Sequence, residues 1–535
     1  MNAQRHTDVV ILGGGLAGLT LALQLRARLP ALDITVLERH RHPVPEAAHK
    51  VGESTVEIGA NYLDTVLGLE SHLRERQLRK FGFRFFFNHG GPAVDAVTEL
   101  GASRYLHTPG YQLDRGILEN FLAEHVAAAG IRLLNGATVR EARLADAGNH
   151  GITWVQDGQE QQLTAGWVVD ASGRAGLLRR QLDLQTDNGH HANAAWFRLG
   201  ARIDIDDWSQ DSGWHARCEV RERWLSTNHL VGPGYWVWLI PLSSGSHSVG
   251  IVADEAMHPL REYNSFERAL GWLRKHQPQL AAVVEREAGT LQDFIALRRF
   301  SYGCKQVFSP RRWALTGEAG LFLDPFYSPG TDFIAISNTY ITELIARDQA
   351  GQSIEMHASL FEQIYFSFYE STLALYRDQY PMFGDVEAMP AKVIWDYAYY
   401  WGILCQFFFQ RRLADLGALS RLKRELASVQ QLNLAVQALL RSWAEGDAPP
   451  GARRMLDQAA LPWFAELNRG LGDVLDDRAF DERLRRNTEL LHELAAEICE
   501  RARPRASAEV IAAVEALLAG PPSRTGTALL FQPAA

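Results

Sequence analysis

The sequence predicts an α/β fold built around a parallel sheet, and three observations carry that prediction. The apolar run Asp8-Val-Val-Ile-Leu12 is too short for anything but a buried strand, and it ends in Gly13, Gly15 and Gly18 at GxGxxG spacing. A helical pattern follows over 19–29, and a second apolar strand, Ile34-Thr-Val-Leu-Glu38, ends in an acid. Further along, Gly166-Trp-Val-Val-Asp170 and Trp313-Ala-Leu315 each read as a buried strand that runs into a glycine turn.

Each part of the N-terminal stretch has a physical task. Gly13 permits a tight turn, Gly15 lets the backbone approach a pyrophosphate, and Gly18 lets helix and strand pack closely. The N–H groups at the helix start attract phosphate charge. Glu38, at the end of the second strand, is placed to accept hydrogen bonds from a ribose 2′-hydroxyl. Glycine clusters also serve ordinary turns. Strand, glycines, helix, strand and terminal acid in this order, however, form the dinucleotide-binding fingerprint of a Rossmann-type domain.

A chain of 535 residues exceeds one compact core, so more than one domain is expected. Its 47% hydrophobic and 22% charged residues are those of an ordinary globular protein. The net charge of -9 argues against a nucleic-acid partner and leaves no basic tract for an anionic membrane. Met1 leads through a short polar stretch into the first strand without a signal-peptide layout. No apolar run approaches the ~20 residues of a spanning helix; the best, 397–409, contains Gln406 and follows Asp396. Cys218, Cys304, Cys405 and Cys499 are scattered, with no metal-ligand spacing, and read as buried free thiols in a reducing cytoplasm.

The rest of the chain divides by texture. A polar loop over 39–49 leads into Val51-Gly-Glu-Ser-Thr55 and a helical stretch over 56–69. Lys80-Phe-Gly-Phe-Arg-Phe-Phe-Phe87 alternates too little for a half-exposed strand and is expected to be buried on both faces. A helix is expected from Arg115 to about Ala129, capped by Gly130, followed by strands at 131–134, 139–144 and 151–155. Between 185 and 300 the pattern changes to short, Trp-rich strands with one clear helix at 265–276. These textures give a nucleotide-binding domain over 1–185 that returns over 301–350, an inserted β-sheet domain over 186–300, a helical region over 351–520 and a tail over 521–535.

Only one complete GxGxxG is present, so the cofactor is expected to be held by three separated pieces: the N-terminal fingerprint, the Asp170 turn and the Gly317 turn. The fingerprint, Gly52-Glu53-Ser54, Asp170-Ala-Ser-Gly173, Trp236-Val-Trp-Leu-Ile-Pro241 and Asp324-Pro-Phe-Tyr-Ser-Pro-Gly330 follow one another as in the flavin-dependent halogenases. Over 5–345 the chain resembles that family, within the wider group of flavin monooxygenases similar to p-hydroxybenzoate hydroxylase. WxWxIP is the discriminating motif. The resemblance implies FAD, delivered reduced by a separate flavin reductase, with O2 and chloride or bromide as co-substrates. It also implies a Rossmann-type FAD-binding domain, an inserted antiparallel β-sheet substrate domain and a helical C-terminal region.

The cofactor supplies the oxygen chemistry, and the protein decides what receives it. Trp236 and Trp238, two apart on a strand, share a face and with Pro241 are expected to form a partition between flavin and substrate; the plainer reading is that paired indoles fill a core. Family resemblance puts a lysine within Lys80-Phe-Gly-Phe-Arg-Phe85, so the expected catalytic residue is Lys80, which would hydrogen-bond hypohalous acid or form a haloamine and present the halogen to an electron-rich ring. The alternative is a solvated Lys80 beside Arg79. Arg84 is read as structural.

The resemblance extends cofactor contact to Glu53, Ser54, Arg115, Asp170, Gly317, Glu318, Asp324 and Gly330. Three departures stand out. The family binds halide through backbone N–H groups at the positions of Pro329 and Gly330, and proline has none, so Ser328 and Gly330 remain as the halide anchors. Tyr327 replaces a glutamate of the tryptophan-specific members, which argues against free tryptophan as substrate. Glu318 stands where an aspartate is usual. His89 and His107 could act as bases, but a lone histidine is more often a hydrogen-bonded structural residue.

The aromatic helical segment, including Phe361, Trp395, Trp401 and Phe407, either walls an apolar pocket or simply packs helices together. Arg411, Arg412, Arg421, Lys423 and Arg424 either receive an acidic carrier protein or form a solvated face. The function implied is halogenation of a small aromatic or carrier-tethered substrate. Two alternatives stand beside it: a flavin monooxygenase or dehydrogenase acting directly on an aromatic or polyene substrate, which Pro329 favours, and a flavin-binding protein without catalysis, which Lys80 and WxWxIP oppose.

Overall fold

Val9, Val10, Ile11 and Leu12 are fully buried at the end of the strand Arg5–Leu12, in a computed structural model that describes residues 5–46, 52–445, 451–518 and 528–532. Val51 and most of the expected tail, 521–535, lie outside the described residues. A strand apolar on both faces needs a neighbour on each side and cover above and below. Arg5–Leu12 pairs parallel with Gln159–Asp170 on one side and Ile34–Glu38 on the other. Trp313–Leu315 and Arg132–Asn135 extend the sheet outward, again parallel. Leu12 is level with Asp170 and Leu37, and Asp170 with Leu315. Four strands therefore release their turns at one edge.

The compact unit containing this sheet comprises 1–77, 113–188 and 301–369. Helix Leu16–Arg28 packs on Gly330–Gln349, where Asn338 joins several elements through one side chain. Its amide donates to the Tyr62 hydroxyl at 3.0 Å and to the Ala17 carbonyl at 3.2 Å, and its oxygen accepts from Thr316 Oγ1 at 2.7 Å. The helix expected over 56–69 is shorter: Glu57–Asn61 passes into a π-helical turn, Tyr62–Val66, that sets Tyr62 toward this junction. The helix Arg115–Ala128 forms as expected and ends before Gly130 at φ +71°.

The other unit comprises 78–112, 189–300 and 370–535. Its eight-stranded sheet runs in the order Leu291–Leu297, Ala192–Leu199, His247–Asp254, Tyr235–Pro241, Thr227–Gly232, Phe83–Phe86, Thr98–Gly101, Arg454–Asp457. Most pairs are antiparallel, but Thr227–Gly232 with Phe83–Phe86 and Arg454–Asp457 with Thr98–Gly101 are parallel. Val237, Leu239, Val249 and Ile251 turn to the face covered by Trp272, Leu273, Leu280 and Val284. The alternate residues, Trp236 and Trp238, turn to the opposite face.

Two expectations are corrected. The continuous strand over 80–87 is two strands, Leu78–Lys80 and Phe83–Phe86, because Gly82 at φ +73° turns the chain between them. Leu78–Lys80 pairs instead with Gly110–Gln112. The inserted region also has a second full helix, Pro278–Arg286, directly after Phe266–His276; Pro278 ends one helix and, at a first-turn position, suits the start of the next.

His247 lies fully buried on its strand, its Nδ1 accepting the Ile203 N–H at 3.2 Å. Burial, assisted by the Arg202 charge, pushes its pKa down to about 3. The unfolded chain therefore takes up this proton near pH 6.5 while the folded chain refuses it, so stability falls as pH drops through that range. The expected loss at pH 4 is on the order of 3 kcal/mol from this residue. Urea unfolding of the wild type and His247→Gln between pH 7 and 4 checks it: the variant should show a shallower pH dependence.

Candidate active site

Three turns at the carboxyl edge of the parallel sheet shape a cradle. Gly13 sits at φ +118°, where a Cβ would lie 2.3 Å from the Ala171 carbonyl oxygen. A Cβ on Gly18 would come within 1.9 Å of the Gly13 oxygen. Packing demands both glycines. Gly15 differs, since no atom lies within 4 Å of where its Cβ would stand. It caps the start of Leu16–Arg28 with no side-chain hydrogen bond. Open space before an uncapped helix start fits a diphosphate held by backbone N–H groups.

Glu38 closes the same edge. Its Oε2 accepts the Gly14 N–H at 2.6 Å and its Oε1 the His40 N–H at 2.7 Å, which fixes the carboxylate at the end of its strand. Each oxygen retains acceptor capacity for ribose hydroxyls. Asp170 is buried with both oxygens turned inward, Oδ1 to the Ser172 N–H at 2.9 Å and Oδ2 to the Leu178 N–H at 2.7 Å. Burial pushes its pKa upward against those bonds. Its visible part is to shape the turn. Gly317, at φ +59°, brings the third turn against Ala17. The next residue, Glu318, pairs with Arg174 at 2.8 Å, and its carbonyl accepts from Arg179 and Tyr302.

Glu53 and Ser54 are buried, and the Glu53 carbonyl accepts the Leu113 N–H at 2.6 Å. Arg115 holds Glu119 at 2.5 Å and lies against Gly52, whose carbonyl it meets at 3.4 Å. The Asp324 loop turns on its own backbone: Oδ1 accepts the Phe326 N–H, the Ser328 N–H donates to Pro325, and Ser328 takes φ +54°. Tyr327 packs on Phe326 at 4.6 Å. Pro329 then caps the 20-residue helix Gly330–Gln349, with Gly330 exposed at its first position. The Asp332 Oδ1 accepts the Gly59 N–H at 2.8 Å.

The second unit holds the other expected residues. Lys80 is only 5% exposed, and its Nζ lies 3.5 Å from the centre of the Phe83 ring. A solvated lysine at a strand end is thereby ruled out. Phe83 meets His229 edge-on at 5.3 Å, His229 stands 5.3 Å from Trp236, and Trp236 is 5.6 Å from Trp238. Lysine, phenylalanine, histidine and both indoles thus form one aromatic cluster. Trp236 Nε1 donates to the Tyr380 hydroxyl at 2.9 Å, and Trp238 Nε1 to Ser248 at 3.1 Å. Gly250 makes room: a Cβ there would be 2.2 Å from the Trp238 ring. Pro241 ends the same strand.

Beside Lys80, the Arg84 guanidinium is fully buried and bonded to Glu99. Glu99 also takes Arg223 at 2.9 Å, and Arg223 reaches Asp206 at 2.9 Å. Arg84 is structural, as its sequence suggests. His89 and His107 are exposed, which gives neither the confined setting of a catalytic base.

The profile of the FAD binding domain matches residues 6–252. Flavin-dependent halogenase chlA of Dictyostelium discoideum is 28% identical over 436 residues, covering 75% of this chain and 71% of its own. The 1H-pyrrole-2-carbonyl-[peptidyl-carrier protein] chlorinase of Pseudomonas fluorescens is 25% identical, covering 68% and 80%. Among solved structures, halogenase PltM in complex with phloroglucinol and FAD superposes with a TM-score of 0.67 over 93% of this chain and 96% of its own, at 18% identity. The chain is thus similar to the flavin-dependent halogenases over most of its length, and its residues 6–252 match an FAD binding domain.

The cradle fits FAD on its own terms: an open Gly15, an uncapped helix start and a fixed Glu38 meet the needs of a diphosphate and a ribose. Sequence reasoning missed Phe83, His229 and Tyr380. Their signal was position: His229 pairs across the ladder with Trp238 on one side and Phe85 on the other, so it shares the face of the indoles. Among the described residues no group of three or more His, Cys, Asp or Glu side chains is placed to hold a metal, and no helix is long and apolar enough to cross a membrane.

Replacing Glu38 with Ala should weaken FAD binding by about 10–100-fold through the lost ribose hydrogen bonds. Gly18→Ala should lower both FAD affinity and Tm, because helix and strand must separate. Flavin fluorescence titration and thermal unfolding of the two variants check these expectations.

Proposed function

We propose that this chain halogenates an electron-rich aromatic ring, phenol- or pyrrole-like, with Lys80 delivering hypohalous acid made from chloride or bromide. The buried ammonium of Lys80, seated on Phe83 in the same cluster as Trp236 and Trp238, is the observation that carries the reading. Bound and reduced, FAD supplies with O2 the oxidising power for this chemistry. A separate flavin reductase provides the reduced cofactor. Four buried thiols, none in a disulfide, suit work in the cytoplasm.

The residues of the chain divide the remaining tasks. Lys80 donates a hydrogen bond to the acid and draws electrons from its halogen, in an apolar setting where that bond is stronger than in water. The ring carbon takes the halogen and gives up its proton, and the oxygen of the acid leaves as water. Trp236 and Trp238 keep water and substrate from the oxidising side. Gly330, first in a 20-residue helix, offers its N–H to halide where the helix dipole favours an anion, and this offsets part of what Pro329 lacks. Tyr327, in place of a glutamate, removes an acceptor for an indole N–H, which favours phenols over free tryptophan.

The pyrrole chlorinase among the relatives acts on a carrier-bound group. Here Arg412 pairs with Asp477 at 2.6 Å and Arg421 with Asp481 at 2.9 Å, so part of the basic cluster is spent within the helical region. A free substrate is favoured. Pro329 supports a second reading, direct oxygenation without halide.

Lys80→Ala should retain FAD binding and flavin reoxidation by O2 while product formation on a phenol and pyrrole panel falls by roughly 10²–10⁴-fold. Mass spectrometry with and without bromide decides the reaction class: an oxygen-bearing product formed without halide would replace halogenation with oxygenation. Pro329→Gly restores one N–H and should lower the bromide concentration at half-maximal rate by about tenfold.

A further inference from the structure

We propose that Tyr380 is a positioning residue for the modification reaction. Through the indole N–H of Trp236 it fixes the plane of that ring, and so sets how much of the O2 consumed ends in product. Its role rests on the reading of Trp236 and Trp238 as a partition, and Tyr380 is what holds one half of that partition. The two indole nitrogens are anchored from different sources. Trp238 Nε1 donates at 3.1 Å to Ser248, on the adjoining strand His247–Asp254, so the sheet itself holds that ring. Trp236 Nε1 donates at 2.9 Å to the Tyr380 hydroxyl, which lies 144 residues further along the chain, in the helical region.

Tyr380 is itself closely held. It opens the short 3-10 helix Tyr380–Gly384, its ring stacks on Phe383 at 4.7 Å, and its carbonyl accepts the Gly234 N–H at 2.9 Å. At the other end of that helix, a Cβ on Gly384 would come within 2.7 Å of the Pro233 ring. The Pro233 carbonyl also accepts from His258 Nε2 at 2.9 Å. The segment is therefore docked on the turn Gly232-Pro233-Gly234, which leads straight into the strand Tyr235–Pro241 that carries both indoles. Turn and phenol together hold this strand at its start and at its first tryptophan.

Trp236 is 1% and Tyr380 2% exposed, so water is shut out of the bond between them. Removing the hydroxyl strands a buried N–H, and the indole must shift to recover an acceptor. A shifted ring opens the partition to water. O2 then leaves as hydrogen peroxide, carrying the two electrons and two protons of reduced FAD, with no product formed. Lys80 has no part in this, since its seat is Phe83.

The test compares the FAD-loaded wild type and Tyr380→Phe, supplied with reduced flavin, O2, bromide and the phenol or pyrrole that the wild type modifies best. The readout is product formed, halogenated or oxygenated, per O2 consumed. Counting both products separates this test from the halogenase reading, which fails by its own sign, product made without halide. Tyr380→Phe should lower the ratio by about three- to tenfold, with hydrogen peroxide making up the difference and FAD affinity unchanged. Tyr376→Phe removes the hydroxyl of another buried tyrosine beside His190 and should leave the ratio at the wild-type value. On a Trp236→Phe background, which has no indole N–H to place, Tyr380→Phe should lower the ratio no further. Without turnover, the indole N–H resonance that Trp236→Phe removes should move in Tyr380→Phe, while the Trp238 resonance stays in place. An unchanged ratio in Tyr380→Phe, an equal fall in Tyr376→Phe, an additive fall in the double variant or an unmoved Trp236 resonance would each overturn the proposal.

Discussion

Two cations are buried on either side of Gly82, and the second unit is arranged around the cost of keeping them there. An ammonium or guanidinium taken from water costs several kcal/mol unless partners replace its hydration. The chain solves the two cases differently. Arg84 lies over Phe81 at 5.2 Å and enters an ion network with Glu99, Arg223 and Asp206, in which two positive groups meet two negative ones. Lys80 is set over the face of Phe83, the ring on the other side of the turn. Each cation therefore uses the phenylalanine nearer its neighbour, and the glycine at φ +73° permits that crossing. The balanced network keeps the positive charge of Arg84 from adding to that of Lys80. A balanced pair rarely raises stability over an apolar replacement, but breaking it strands a charge. Its value here is to fix the turn: Ser226 Oγ accepts from Arg84 and donates to the Phe81 carbonyl, and the Phe81 N–H reaches Leu225.

The first unit works by another principle. Its cradle is largely backbone, and its side chains face inward. Asp170 spends both oxygens on amides of its own turn, and Gly13 and Gly18 exist to let chain segments touch. What is left outward is N–H groups, an open position at Gly15 and the carboxylate of Glu38. Such a surface recognises phosphate and ribose, which every FAD presents alike. It says nothing about the molecule to be modified. The second unit is built differently: around Lys80 the contacts that hold the cluster are between side chains.

This division explains what was legible in the amino-acid sequence. Glycines at fixed spacing serve ordinary turns as well, but between an apolar strand, a helix and a second strand ending in an acid they point to one arrangement, so the parallel sheet and its turns could be read from Asp8-Val-Val-Ile-Leu12 and its successors. The break at Gly82 was not legible, because a glycine between phenylalanines is as common in a bulged strand as in a turn, and the deciding factor is a partner strand, Gly110–Gln112, well ahead in sequence. Pro278 misled for a related reason: proline both ends and begins helices, and only tertiary packing tells which. His229 and Tyr380 carry no motif. They matter because ladder register and one indole N–H bring them to Trp236 and Trp238, and register across distant strands is not written in local pattern.

The helical region gains a meaning from the same contacts. Its aromatic residues are mostly packing: Trp395 and Trp401 are fully buried, and the Trp395 indole donates to Asn433 at 2.9 Å. Within that layer Lys392 is bonded to Asp396 at 2.7 Å and Gln437 at 2.8 Å, with burial pulling its pKa down against the attraction of Asp396. Gln437 in turn donates to the other Asp396 oxygen at 2.7 Å. A bonded ion pair in an apolar layer favours one alignment of its two helices, Ala388–Tyr399 and Lys423–Ala444, since a slip leaves a charge unpaired. One residue beyond Asp396, Tyr397 reaches Phe83 at 6.1 Å. The ring that seats Lys80 is thus backed by a helix whose register is locked by an ion pair, while the exposed arginines of the same region are largely neutralised by their neighbours. The physical role of this layer is to hold the aromatic seat of the lysine in place.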